Sequence, residues 1–246
     1  MRSLFLISSL LCLEFSVTAQ LKTNMGEGRL GADKISWDDQ FIIVDKNGAN
    51  FHSYYEGVEG HPFFDENFKF STVTLASGQV FKNVATRLDL YKQMLQVRLN
   101  GDTVKSILPG SIAEVVFYDT IDSKSSSYKF QSGYPSIDNL GKNNFYQVLS
   151  EGNVELLKSS VKKINKEKNE MSGEIRSRFD VYDDYFFYIK YEMKRVKKDR
   201  EYILQLLPDK RKELETYIKD QKINFKSFES IQKLVDYYNS LVDPKF

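Results

Sequence analysis

The sequence predicts an α+β protein: an antiparallel β domain, an open barrel or a sandwich of hairpins, followed by a short C-terminal helical region packed on it. Three observations predict this. From Pro62 to Phe117, short alternating apolar runs are separated by Ser-Gly, Asn-Gly and Pro-Gly, the pattern of strands joined by tight turns. Tyr185-Phe186-Phe187-Tyr188-Ile189 is an aromatic run with strong strand propensity. After Lys198 the apolar residues fall instead at helical spacing. With 246 residues, 41% apolar and 28% charged, the chain is long and apolar enough to bury a real core.

Residues 1–19 read as a signal peptide. Arg2 gives a positive start, Leu4 to Leu13 an apolar stretch, and Val17-Thr18-Ala19 a small-residue cleavage site before Gln20. That stretch is too short to span a bilayer, and no later one is longer. The one cysteine, Cys12, lies inside it and follows Leu11 rather than the small residue that a lipid anchor needs. A chain cleaved after Ala19 has no cysteine for disulfides, thiolate chemistry or metal ligation.

Residues 20–34 are polar and Gly-rich, a flexible lead-in. The β domain is placed at 35–196. Phe41-Ile42-Ile43-Val44 reads as a buried strand. Phe51 to Phe70 holds seven aromatics together with Gly57, Gly60 and Pro62, so it is expected to be irregular and to wrap onto the sheet. Val73 and Leu75 precede a Ser77-Gly78 turn, after which Val80, Val84, Leu88 and Leu90 line one strand face. Asn100-Gly101 is a two-residue hairpin signal that sets Val97 opposite Val104. Pro109-Gly110 ends that arm, and Ile112 to Tyr118 forms the next strand.

Residues 119–143 read as loop, with a short strand at Tyr128 to Gln131. Ser150-Glu151-Gly152-Asn153 turns a second hairpin. Lys162 to Ser172 is charged and reads as an exposed connection, and the aromatic strand after it runs to about Met193. The helical region spans 197–242. Its stripes are Tyr202, Ile203, Leu206 and Leu207 up to Pro208; Leu214, Tyr217 and Ile218; and Phe228, Ile231, Leu234, Val235 and Tyr238 after a Ser227 N-cap.

Catalytic parts are sparse. The net charge of +1 gives no reason to expect nucleic acid. His52 and His61 have no second ligand at metal-binding spacing, and neither a lipase-type elbow nor a phosphate loop is present. No cofactor, metal or catalytic residue is therefore assigned. Asp38-Asp39, Asp65-Glu66 and Asp183-Asp184 are the only paired carboxylates suited to glycan hydrolysis, and adjacent Asp residues usually serve turns and solvent edges. The aromatics carry a binding reading: Tyr54, Tyr55, Phe63, Phe64, Tyr185 and Tyr188 on a sheet face could stack on a ligand. Filling the core is the competing use of the same rings.

Several short stretches resemble a group of uncharacterised exported proteins common in Bacteroidota. They are Gly60-His61-Pro62-Phe63-Phe64, the strand-Gly-strand unit from Thr72 to Val84, Arg87-Leu88-Asp89-Leu90-Tyr91, Phe145 to Lys158 with its Glu-Gly turn, and Lys233 to Asn239. That group has no established activity, so the resemblance implies export and fold and carries over no functional residue. The expectation is an exported, non-catalytic protein of the periplasm or cell surface that acts through contacts with an envelope protein. The alternative is a binding module for a small apolar ligand or glycan.

Overall fold

The computed structural model describes residues 41–44, 55, 57–99, 103–121, 124–168, 170–171 and 173–242, with the backbone alone for 41–44, 119–121 and 124–125. The signal segment, the lead-in, Asp38-Asp39, His52, Tyr54 and Asn100-Gly101 lie outside them. All described residues belong to one compact unit, Trp37–Phe246.

Twelve strands are described: β1 (Phe41–Val44), β2 (Val58–Glu59), β3 (Lys69–Leu75), β4 (Val80–Asp89), β5 (Met94–Arg98), β6 (Val104–Ile107), β7 (Ile112–Ile121), β8 (Lys124–Gln131), β9 (Tyr146–Ser150), β10 (Val154–Lys168), β11 (Ile175–Ile189) and β12 (Glu192–Arg195). Eleven form one open ladder in the order β1-β6-β5-β4-β3-β7-β8-β9-β10-β11-β12, while β2 pairs separately with β11. Every pairing is antiparallel except β2 with β11. The helices follow: α1 (Arg200–Leu206), a 3₁₀ turn at Pro208–Lys210, α2 (Arg211–Asp220) and α3 (Phe228–Val242). The architecture is α+β, as the sequence predicts.

One sheet face carries most of the core, and a smaller cluster of Tyr134, Tyr146, Leu157 and Phe186 is buried on the other. Val73, Leu88, Leu95, Ile112, Val115, Phe117 and Phe130 bury the main face over the first half, with Phe64 laid across them. Over the second half Val154, Leu156, Phe187 and Ile189 meet Ile203, Leu204 and Leu207 of α1 and its end, Leu214 of α2, and Ile231, Leu234 and Val235 of α3. Each such buried side chain stabilises the fold by roughly 1.5–3 kcal/mol. Asp199 caps α1 by accepting from Tyr202 N at 2.7 Å, and Ser227 Oγ accepts from Ser230 N at 3.3 Å ahead of α3.

The ladder also curls on itself. The β4–β5 turn reaches β10, five steps away along the strand order. There Lys162 N donates to Leu90 O at 3.1 Å, and Gln93 Nε2 donates to Leu90 O and Ser160 O at 2.9 and 3.1 Å. Residues 57–64 strap the two parts together. β2 pairs with Ser177 and Arg178, Leu90 N donates to Pro62 O at 2.9 Å, and Lys162 Nζ donates to His61 O at 2.7 Å. Of the aromatic segment, the described residues 60–68 wrap onto the sheet, while Val58–Glu59 and Lys69–Phe70 join it as strand.

Four expectations are corrected. Lys162 to Ser172 is no connection up to Lys168: it is the distal half of β10, paired residue for residue with β11. Alternation there sets charge on both faces, which a polarity reading mistakes for loop. Residues 119–143 contain the end of β7 and all of β8, a Ser-rich strand with few apolar residues to mark it. The aromatic strand stops at Ile189, where Lys190 and Tyr191, at φ 51° and 66°, turn the chain into β12. Finally, Val97 faces Lys105 and Arg98 faces Val104. Leu99 N donates to Thr103 O at 2.8 Å, so three residues rather than two lie between the last hydrogen-bonded pair. A fifth difference is local: Asn83, at φ 57°, bulges β4 and leaves Val80 exposed instead of lining the Leu88 face.

Candidate functional site

On the sheet face away from α1 and α3, a cleft of about 400 Å³ is lined by Thr74, Ala113, Glu114, Gln131, Ser132, Gly133, Tyr134, Glu155 and Tyr188. Strand alternation aims four of its groups. Glu155 stands between Val154 and Leu156, both turned to the helices, so its side chain points the other way. Tyr188 is its direct cross-strand partner. Glu114 and Gln131 are likewise paired across β7 and β8.

Tyr134 comes from the β8–β9 connection, which is anchored at both ends. Ser132 N donates to Ala113 O at 3.0 Å, and Gly133 N to Lys142 O at 2.7 Å. Gly133 takes φ 92°, a conformation that suits glycine and lets the chain leave the strand abruptly. Tyr134 then packs edge-to-face on Tyr146 and Tyr188, with ring centres 5.4 and 5.1 Å away. Leu157, Phe186 and Tyr146 form the apolar floor beside it.

The polar groups are linked in a line. Gln131 Nε2 donates to Glu114 Oε2 at 2.8 Å. The Tyr134 hydroxyl lies 2.6 Å from Gln131 Oε1 and 2.5 Å from Glu155 Oε2. Lys129 Nζ bridges Glu114 and Glu151 at 3.0 and 3.1 Å. Burial opposes charge on Lys129, but its hydrogen bonds to Glu114 and Glu151 outweigh that and raise its pKa. Burial also raises the Glu155 carboxyl, with Glu151 adding to it and the Tyr134 hydroxyl and Lys129 opposing. The Tyr134 phenol is raised too, by burial first and then by Glu155. It stays a hydroxyl at any physiological pH. The cleft therefore offers one charge-paired carboxylate, one carboxyl reluctant to ionise, an amide, and two phenols on an aromatic wall.

The five described sequence candidates are not brought together. Tyr55 sits edge-to-face between Tyr91 and Phe179 at the strap. Phe63 is buried in the core beneath the Arg87 guanidinium, 3.7 Å from the ring centre. Phe64 packs on Phe117, Tyr128 and Phe130. Tyr185 stacks on Phe228 of α3 at 3.4 Å. Only Tyr188 reaches the cleft. Of the paired carboxylates, Asp65 ion-pairs with Lys69 and turns the chain through Asn67 N. Asp183 engages Lys158 and Ser160 on one sheet face, while Asp184 engages Arg195 on the other.

Sequence reasoning missed Glu114, Gln131, Tyr134 and Glu155, which come from four separate elements. The one local signal was Gly133-Tyr134, a glycine that frees an aromatic from a strand end. Comparison with known protein families, curated proteins and solved structures returns no match.

Proposed function

We propose that this chain is an exported, non-catalytic binding protein whose cleft between β7, β8, β10 and β11 takes a small, hydroxyl-rich ligand of the glycan class. The observation that carries the reading is the convergence of Glu114, Gln131, Tyr134 and Glu155 on one open volume beside the Tyr188 ring. Carboxyl and amide groups accept and donate to paired hydroxyls, and an aromatic wall covers the apolar face of a sugar ring. An apolar ligand fits less well, because the convergent groups are polar. Export rests on residues 1–19, and no helix among the described residues is long and apolar enough to cross a membrane.

The test is an NMR titration of the chain lacking residues 1–19 with maltotriose, cellotriose and chitotriose. Shifts confined to Gln131, Tyr134, Glu155 and Tyr188 are expected with one of them, and Tyr188→Ala weakens that binding at least tenfold. No shift with any sugar, or shifts elsewhere, would count against the reading.

Contact with an envelope protein is the second reading. Phe70 on β3 and Tyr118 on β7 favour it. They stand one residue beyond the Ser71–Phe117 pair on each strand and are 60% and 48% exposed. A double Phe70→Ser, Tyr118→Ser variant that loses a partner captured by the wild type from envelope fractions would support it. Unchanged capture would remove it.

A further inference from the structure

The Tyr134 hydroxyl has one proton and two oxygens within 2.6 Å, Gln131 Oε1 and Glu155 Oε2. It can donate to only one of them. The Gln131 amide is oriented by its other end, since Nε2 donates to the Glu114 carboxylate at 2.8 Å, and turning it over would set its carbonyl oxygen against that carboxylate. Gln131 Oε1 is thus fixed as an acceptor and claims the tyrosine proton. The remaining short contact, oxygen to oxygen at 2.5 Å, then needs a proton from the other side.

We infer that Glu155 is a carboxylic acid rather than a carboxylate in the folded protein at neutral pH, and that it donates into a one-way chain, Glu155 to Tyr134 to Gln131 to Glu114, which sets the cleft to receive an uncharged, hydroxyl-rich ligand. Of the charged neighbours, Glu151 favours the neutral acid and Lys129 opposes it. From β7 and the β9–β10 turn, Glu114 and Glu151 supply negative charge, and Lys129 of β8 binds both of them. Tyr188 of β11 and Tyr134 of the β8–β9 connection present phenols. No cation is paired directly with Glu155 among the described residues, and burial raises its pKa in the same direction.

The chain has a functional consequence, which rests on the glycan reading of the cleft. A protonated Glu155 keeps the site less negative and gives it a donor. Ionisation removes that donor and reverses the Tyr134 hydroxyl. Affinity for a neutral sugar therefore falls as pH rises through the Glu155 titration. Glu155→Gln, neutral at every pH and still able to donate to Tyr134, binds with no such pH dependence.

The deciding experiment follows the Glu155 side-chain carbonyl by ¹³C NMR in glutamate-labelled protein, with Glu155→Gln giving the assignment. It needs no ligand. Titration well above the range of a free glutamate is expected. In Gln131→Leu the tyrosine proton is released to stabilise the carboxylate, so the Glu155 titration moves down. Burial alone would leave it unmoved or raise it. A wild-type Glu155 that titrates as a free glutamate overturns the inference, as does an upward or absent shift in Gln131→Leu. If Gln131→Leu does not fold, the wild-type titration decides by itself. A raised Glu155 titration with no binding of maltotriose, cellotriose or chitotriose upholds the proton chain and removes the glycan reading.

Discussion

Asp89 and Glu155 are two single residues that tilt the fold's stability with pH. Burial is the first cause of a raised pKa at both. At Asp89 the hydrogen bonds from Lys92 N and Tyr91 N, at 2.7 and 2.9 Å, only partly offset it. A carboxyl raised in the folded state stabilises fully below its unfolded pKa and loses that contribution as pH rises through the folded value. Stability should thus decline from the ordinary carboxyl range up through these two titrations. Asp65 pulls the other way, because Lys69 and Asn67 N outweigh burial and lower its pKa. Urea melts at stepped pH measure the slope, which Asp89→Asn with Glu155→Gln should flatten. Asn239 is a second residue of this weight. Its side chain accepts from Val154 N at 3.0 Å and donates to Glu151 O and Val154 O at 3.0 and 2.7 Å, tying α3 to the β9–β10 turn. Asn239→Ala leaves buried backbone groups unpaired and should cost about 3 kcal/mol in denaturant unfolding. Gly152→Ala should also destabilise, since φ is 139° there and an added Cβ would lie 2.6 Å from Asn239 Cγ. The apolar stripe of α3 was legible from Ile231, Leu234 and Val235. Asn239 was not, because nothing local distinguishes a polar residue that staples from one that is solvated.

Strand boundaries show where pattern reading works and where it stops. Alternation found β3, β7 up to Tyr118 and β9, each with an apolar face to bury. It failed on the end of β7, on β8, and on the distal parts of β10 and β11, where neither face is fully buried and both carry polar residues. What holds β10 to β11 there is backbone pairing with cross-strand polar contacts, such as Asn165 Nδ2 to Asp180 Oδ2 at 2.6 Å. The β11–β12 turn was hidden for a different reason. Two successive positive φ values are those of a type I′ turn, usually marked by Asn-Gly, and Lys190-Tyr191 carries no such mark. Tyr191 is 86% exposed, so Lys190→Asn with Tyr191→Gly removes strain without losing burial. It should stabilise the fold by about 1 kcal/mol, read as a rise in Tm. The cleft was illegible because its four polar groups are brought together by register and by one loop, and neither can be counted along the chain.

The molecule as a whole is an open ladder kept curled by side chains and a strap. Lys162 is central to that arrangement. Its backbone N reaches Leu90, its ammonium reaches His61 O, and burial lowers its pKa. Lys162→Met keeps the stem and removes the ammonium. It should cost about 1–2 kcal/mol and speed amide exchange at Val58 and Leu90 more than at Leu156. The strand order has a kinetic corollary. β9 to β12 join neighbours in sequence, and α3 packs on β9, β10, β11 and the preceding helices, so this half can form as soon as it is made. β1 must instead find β6, and β3, already paired with β4 on one edge, must find β7 on the other. Long-range pairing of this kind is slow. Pulse-labelled refolding should protect Leu156 and Phe187 before Val73 and Ile107, and a newly made chain would spend its vulnerable interval with β1 and the outer edge of β3 still open.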